Sequence, residues 1–229
     1  MNSLADLIQH PSLKVKWETV GVEVLESLAG REGIKLDDLR EILLSQACDL
    51  AESELVPEGE DPDTAINNFW EFVKKNGTLL TERDYLRAAV VALSFAHRFA
   101  RTDYGSSRQR GFGQLWGDSI QGILGEIAFQ KVVCAATSHK LIPILDAREE
   151  KIEKALRTDV VLIISEGKRI KPQKTLSIKT TKLNGRWLDI PYAQKEHSDI
   201  YVLVKIGTNP DTLFDFLAKI KALEPALTW

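Results

Sequence analysis

Two hydrophobic rhythms divide the chain. Up to about residue 135 apolar positions recur every three or four residues; beyond it they run together or alternate. The first rhythm predicts amphipathic helices and the second predicts strands. Residues 15–28 set Val15, Trp17, Val20, Val22, Val24, Leu25 and Leu28 among Glu18, Glu23 and Glu26. Residues 36–50 repeat the pattern with Leu36, Leu39, Ile42, Leu43, Ala47 and Leu50, and Asp37 and Asp38 suit the positive end of a helix dipole. Residues 58–63 (EGEDPD) read as an acidic loop. Thr64 is a candidate cap for a helix over 65–75, closed by Asn76 and Gly77. Thr81 and Asp84 form a capping-box-like pair that opens an apolar helix to about Arg101. Residues 118–135 predict a further helix with Ile120, Ile123, Leu124, Ile127, Ala128 and Val132 toward one face.

Residues 158–165 (TDVVLIIS) and 175–181 (TLSIKTT) read as strands joined by a polar, Gly-containing connector, an antiparallel hairpin. Residues 187–190 suggest a short strand and 191–197 one or two helical turns. The apolar run 199–206 (DIYVLVKI) predicts a central strand buried on both faces, and 211–223 a closing helix capped by Asp211. Helix, strands, helix, strand, helix predicts an α/β or α+β core behind an N-terminal helical subdomain. The expected division is residues 1–100 for that subdomain and 101–229 for the core. No repeat of 20–50 residues is visible.

Charge sharpens this division. The 229 residues carry a net −3, but residues 1–96 hold 9 Lys and Arg against 18 Asp and Glu, whereas residues 97–229 hold 21 against 15. Only the second part is electrostatically suited to a polyanion. Residues 101–113 (RTDYGSSRQRGFG) add a basic, Gly-rich loop in which Arg108 and Arg110 could follow a phosphate chain and Tyr104 or Phe112 could meet bases. Two cysteines, Cys48 and Cys134, are too few for a disulfide framework or a Cys-based zinc site. No apolar run reaches the roughly 20 residues of a membrane span, and no cationic start precedes an apolar stretch, so a cytoplasmic protein is expected.

The chemistry concentrates at three positions. Asp159 begins one strand, Lys179 lies near the end of the next, and Glu126 sits within an otherwise apolar helix, where a carboxylate needs a cation, metal or donor as partner. Carboxylates grouped at one strand end would hold Mg²⁺, which takes oxygen ligands and keeps several waters. A Lys beside a metal-bound water could position it, act as a base or neutralise charge on a phosphate. Rival patterns are weak: Ser177 and Lys179 lack an oxyanion loop, the four histidines are scattered, and neither a Walker A loop nor a dinucleotide fingerprint occurs, so no nucleotide cofactor is expected.

At these residues the sequence resembles the PD-(D/E)xK nuclease superfamily, and within it the type II restriction endonucleases. The segments are 125–129 (GEIAF), Thr158-Asp159 at a strand start, 177–181 (SIKTT), 189–191 (DIP) and the strand 199–206. The resemblance implies a central mixed β-sheet flanked by helices, Mg²⁺ (or Mn²⁺) at one edge, and cleavage of double-stranded DNA. Asp159, Lys179, Glu126 and Ser177 would form the catalytic set, with Asp159 and Glu126 on the metal. The sequence departs from the pattern in two places: Arg157 precedes Thr158-Asp159 where the family has a Pro nearby, and Ser177 stands where the second acid is expected. Glu126 is the first candidate to replace that acid, Glu196 the second and Asp189 the third.

Lys168, Arg169, Lys171 and Lys174 in the hairpin connector are candidate phosphate contacts. Lys182, Asn184, Arg186, Gln194 and Lys195 around the site are candidates for DNA contact and base reading. A homodimer would cut both strands of a symmetric site, with the acidic helices as dimer surface. A non-catalytic DNA-binding or interaction protein on a decayed nuclease fold, and a structure-specific repair nuclease, are the alternatives.

Overall fold

A computed structural model describes residues 3–37, 39–99, 112–145, 158–188, 190, 196 and 198–208. The helices there are α1 (Leu4–Leu7), α2 (Pro11–Glu32), α3 (Arg40–Ala51), α4 (Pro62–Asn76), α5 (Glu82–Phe99) and α6 (Phe112–Ala136). The strands are β1 (Leu141–Leu145), β2 (Val160–Ser165), β3 (Lys168–Ile170), β4 (Leu176–Lys182) and β5 (Ile200–Ile206).

Helix limits follow from caps more than from the apolar pattern. Pro11 fits the first turn of α2, where its missing N–H costs nothing, and Gly33 ends the helix at φ 67°. The helix therefore outruns the predicted 15–28 at both ends. α3 starts at Arg40, so Asp37 precedes it and pairs with Arg40 at 3.9 Å instead of sitting in its first turn. Asp61, not Thr64, caps α4: its carboxylate accepts from the Thr64 N–H at 3.0 Å, with Pro62 in the first turn. At α5 the expected box forms both ways, Asp84 N–H to Thr81 Oγ1 at 3.3 Å and Thr81 N–H to Asp84 Oδ2 at 2.8 Å.

Two hydrophobic clusters organise the helices. The first joins α1–α4 around Trp17, Phe69 and Trp70, whose ring centroids lie 4.7–5.4 Å apart. Gly21 makes this packing possible, because a Cβ there would come within 2.4 Å of the Trp70 ring. The second cluster sets Ala88, Ala89 and Ala92 of α5 against Ile120, Ile123, Leu124 and Ile127 of α6, and reaches Ile206 of β5. By packing, α5 thus groups with α6 and β5.

The fold is mixed α+β, but the described strands form no single central sheet. β1, β2 and β3 make an antiparallel sheet, and β4 and β5 a parallel pair with Lys179 opposite Leu203. The expected hairpin between 158–165 and 175–181 is not what forms. β2 turns back at once into β3 through Glu166 and Gly167, both at positive φ, so the first part of the basic connector, Lys168–Ile170, is itself a strand. β1 escaped the sequence reading because its run LIPIL is short and contains Pro143. Pro143 is tolerable there because β1 has a strand partner on one side only, β2, among the described residues. β5, expected to be buried on both faces, is half-buried from Tyr201 to Lys205 and fully buried only at Ile206. Residues 187–188 form no strand. Glu196 stands exposed in a turn, whereas Asp189, residues 191–195 and residues 211–223 lie outside the described residues.

Candidate functional site

The entry to β2 is stitched to β4 although the two are not paired as a hairpin. The Asp159 N–H donates to the Leu176 carbonyl at 2.7 Å, and Asp159 Oδ2 accepts from the Ile178 N–H. Thr158 Oγ1 accepts from the Leu176 N–H at 3.1 Å and lies 3.0 Å from the Val160 carbonyl. Asp159 therefore brackets Ser177, gripping the backbone on both sides of it. This junction joins the antiparallel sheet to the parallel pair.

The start of β4 is fixed in the same way from its other edge. Asp199 Oδ2 accepts from both the N–H of Thr175 at 2.7 Å and its hydroxyl at 2.9 Å. Those backbone and side-chain hydrogen bonds from Thr175 hold the Asp199 carboxyl below the ordinary aspartate range. In return the Thr175 carbonyl accepts from the N–H groups of Asp199 and Ile200, each at 3.1 Å. β4 is thus clamped at its start on both edges, by 158–159 and by 199–200. A strand so restrained holds Ser177 and Lys179 in fixed register.

α6 lies across β4 at closest range where Gly125 meets Thr180. A Cβ on Gly125 would fall 2.0 Å from Thr180 Oγ1, so only glycine permits the approach. Glu126 is the next residue and is buried, at 6% exposure. Alternation along β4 puts Ile178 and Thr180 on the α6 side, and carries Ser177 and Lys179 to the opposite face. Ser177 is buried and Lys179 half-buried. Of the expected set, Asp159 is held against the backbone on either side of Ser177, one residue short of Lys179. Glu126 lies on α6, which packs on the face of β4 opposite Ser177 and Lys179.

The expected DNA contacts divide. Lys182 is exposed at the end of β4. Asn184 and Arg186 are exposed and also bond within the chain: Asn184 Nδ2 donates to Glu52 Oε2 at 3.2 Å and Arg186 Nη2 to the Glu52 carbonyl at 2.7 Å. Their role here is to dock the loop after β4 on the residues just beyond α3. Lys205, 3.6 Å from Glu54 and bonded to the Ser53 hydroxyl, and Gln46, which donates to the Gly207 carbonyl at 2.9 Å, extend that docking. Lys168 and Arg169 are exposed on β3. Arg108, Arg110, Gln194 and Lys195, like Tyr104, lie outside the described residues.

Lys131 was missed. Its ammonium lies 2.7 Å from Glu32 and 2.8 Å from Asp84 and donates to the Leu79 carbonyl at 2.9 Å. It ties α6 to the end of α2 and the start of α5. A lone Lys on an apolar helix is the only signal of this in the sequence.

Among the described residues no group of three or more His, Cys, Asp or Glu side chains could hold a metal. Mg²⁺ does not need three: one or two carboxylates with water and substrate phosphate suffice, and the Asp159 carboxylate is a hard oxygen donor of the right class. No described helix is long and apolar enough to cross a membrane. Comparison with protein-family models, with curated proteins and with solved structures returns no match.

Proposed function

We propose that the chain is a divalent-metal-dependent endonuclease that hydrolyses phosphodiester bonds of double-stranded DNA, of the type II restriction kind. The observation that carries this reading is the placement of Asp159, whose carboxylate grips the Ile178 N–H and so stands beside the Ser177-Ile178-Lys179 segment. Asp159 would hold Mg²⁺ (or Mn²⁺), with Glu196 or Asp189 as second acid, because Glu126, the first candidate from the sequence, comes from the other face of β4. When bound, the ion would supply charge neutralisation at the phosphate and acidify a water. Lys179, held in register by the clamped strand, would orient the attacking water and take up or shield its proton. Ser177 would stand in the second-acid position as a neutral hydroxyl, leaving the site with one negative charge fewer. The exposed Lys168, Arg169 and Lys182 would contact phosphates and make binding salt-dependent. A homodimer would present two such sites to opposite strands.

The test is Mg²⁺-dependent cleavage of plasmid and long genomic DNA by the wild type, Asp159→Ala and Lys179→Ala. Discrete fragments from the wild type, lost in both variants, are expected. Undiminished cutting by either variant overturns the site assignment.

The second reading, a DNA-binding protein without nuclease activity on the same fold, is favoured by Ser177 alone. Duplex binding by the wild type with no cutting in either metal would select it.

A further inference from the structure

Packing sorts the described elements into two groups. α2 packs on α3 and α4, and α1 on the same two helices; α5 packs on α6, and α6 on β1, β4 and β5. Each group has its own hydrophobic cluster, and the two clusters share no residue. The chain passes from one to the other at two adjacent leucines, Leu79 packed against the first cluster and Leu80 against the second.

Hydrogen bonds and ion pairs bridge the groups in two sets. The first surrounds the crossing. Lys131 of α6 reaches Glu32 at the end of α2, Asp84 at the start of α5 and the Leu79 carbonyl between them. The Thr78 hydroxyl donates to Glu32 at 2.9 Å, and Arg31 Nη2 donates to the Gly77 carbonyl at 3.1 Å. The second set joins α3 and the residues just after it to β5 and the loop that follows β4. Gln46 donates to the Gly207 carbonyl, Lys205 meets Ser53 and Glu54, and Asn184 and Arg186 meet Glu52. Gly207 lets these surfaces close, since a Cβ there would lie 2.8 Å from Gln46 Cδ.

The two sets differ in their access to water. The side chains of Lys131, Glu32 and Asp84 are at most 19% exposed, whereas that of Glu54 is 48% exposed and Glu52, Asn184 and Arg186 stand at the surface. Salt screens exposed charges much more than partly buried ones. Bodies with separate cores, joined by one crossing and a polar contact, keep relative motion as their soft degree of freedom.

We propose that α1–α4 swing as one body on the Leu79–Leu80 joint. Lys131 is the pivot, and Gln46, Glu52, Ser53 and Glu54 form a latch that holds the body against β5 and the loop after β4. The latch yields before the pivot because it is the wetter of the two. The swing goes beyond the nuclease reading and does not rest on it, because it follows from packing alone.

Small-angle X-ray scattering of the full chain tests this, for the wild type and for the triple variant Gln46→Ala, Arg186→Ala, Lys205→Ala. Each is measured at about 0.05 M and about 0.5 M NaCl, on either side of the salt at which exposed pairs are screened. Amide hydrogen exchange is followed on the same samples. At constant molecular mass the radius of gyration is expected to rise by roughly one-tenth in the triple variant, and by less in the wild type at the higher salt. Exchange in α2, α4, α5 and α6 should keep its wild-type rate, because neither core opens. An unchanged radius in the triple variant overturns the swing. A larger radius with faster exchange in α2 and α4 also overturns it, since the helical group then unfolds instead of moving as a body. If the triple variant fails to fold, the wild-type salt series decides, and no rise there overturns the proposal. DNA cleavage, present or absent, bears on the nuclease reading and on none of these outcomes.

Discussion

The carboxylate of Asp159 accepts a hydrogen bond from the backbone N–H of Ile178, the residue between Ser177 and Lys179. One oxygen is thus occupied in holding β4, and the carboxylate stays beside the segment whose chemistry it is proposed to share. The two duties separate by substitution. Asp159→Asn keeps a carbonyl oxygen to accept from Ile178 and loses only charge; Asp159→Ala loses both. A hydrogen bond to a charged group is worth about 1.5–3 kcal/mol, so Asp159→Ala should lower the thermal midpoint by roughly 3–12 °C while Asp159→Asn shifts it less. If the nuclease reading holds, both variants lose cleavage alike. Cleavage that falls only in step with stability would assign Asp159 to structure alone.

The approach of α6 to β4 gives a second, purely structural prediction. Gly125→Ala puts a methyl group 2.0 Å from Thr180 Oγ1, and either the helix or the strand must retreat. Overpacking of this kind costs about 1–3 kcal/mol. Thr180→Ala removes the oxygen in the way, so the double variant should be more stable than the sum of the two single losses predicts. Denaturant midpoints of the four proteins decide it; simple additivity would mean the two residues do not meet.

Among the described residues, five of the six helices and three of the five strands were legible in the sequence because their signals are local: period, capping pairs, β-branched runs; α1, only four residues long, was not. What could not be read was pairing. Residues 158–165 and 175–181 have the alternation of hairpin partners, yet Glu166 and Gly167 turn β2 into β3 first, and β4 takes β5 as its parallel partner. The sequence carries no mark of that choice, which is made by α6 packing over β4 and β5 together. At the site, Thr158-Asp159 and Ser177-x-Lys179 were found by residue type and order, and the strand junction brings them together. That Asn184 and Arg186 bond to Glu52 could not be read, because Glu52 is more than 130 residues away. Lys131 left only a lone Lys on an apolar helix as a mark, since its two carboxylates come from separate helices.

The Glu52 contacts predict how the loop after β4 behaves. Arg186→Ala removes the bond to the Glu52 carbonyl, and Asn184→Ala the bond to its carboxylate. Both contacts are solvent-exposed and each is worth about 0.5–1.5 kcal/mol or less. Global stability should barely change. Amide hydrogen exchange in residues 183–188 and around Glu52 should rise together in either variant, several-fold or more. A rise confined to one side would show that the docking does not depend on these side chains.

Lys131 and Asp84 make the acid sensitivity of the fold predictable. Burial raises the Asp84 carboxyl, but the hydrogen bonds from Lys131 and Thr81 outweigh it and the group titrates below its ordinary 3.8. A carboxylate whose folded value is depressed contributes stability that is present above the unfolded value and is lost as pH falls through the folded one. Stability from this contact is therefore complete at neutral pH and disappears on the acid side of 3.8. Asp84→Asn removes the linkage, so its stability should fall less steeply between about pH 5 and pH 2 than that of the wild type. Lys131→Met cuts deeper, because it leaves Glu32 and Asp84, each about one-fifth exposed, without their cation. Breaking such a pair costs about 3–5 kcal/mol when fully buried, and solvent at these side chains reduces that to about 2–3 kcal/mol. The loss should be largest at neutral pH and shrink in acid as Asp84 protonates. A Lys131→Met penalty that stays constant with pH would exclude the ion pairs as its source.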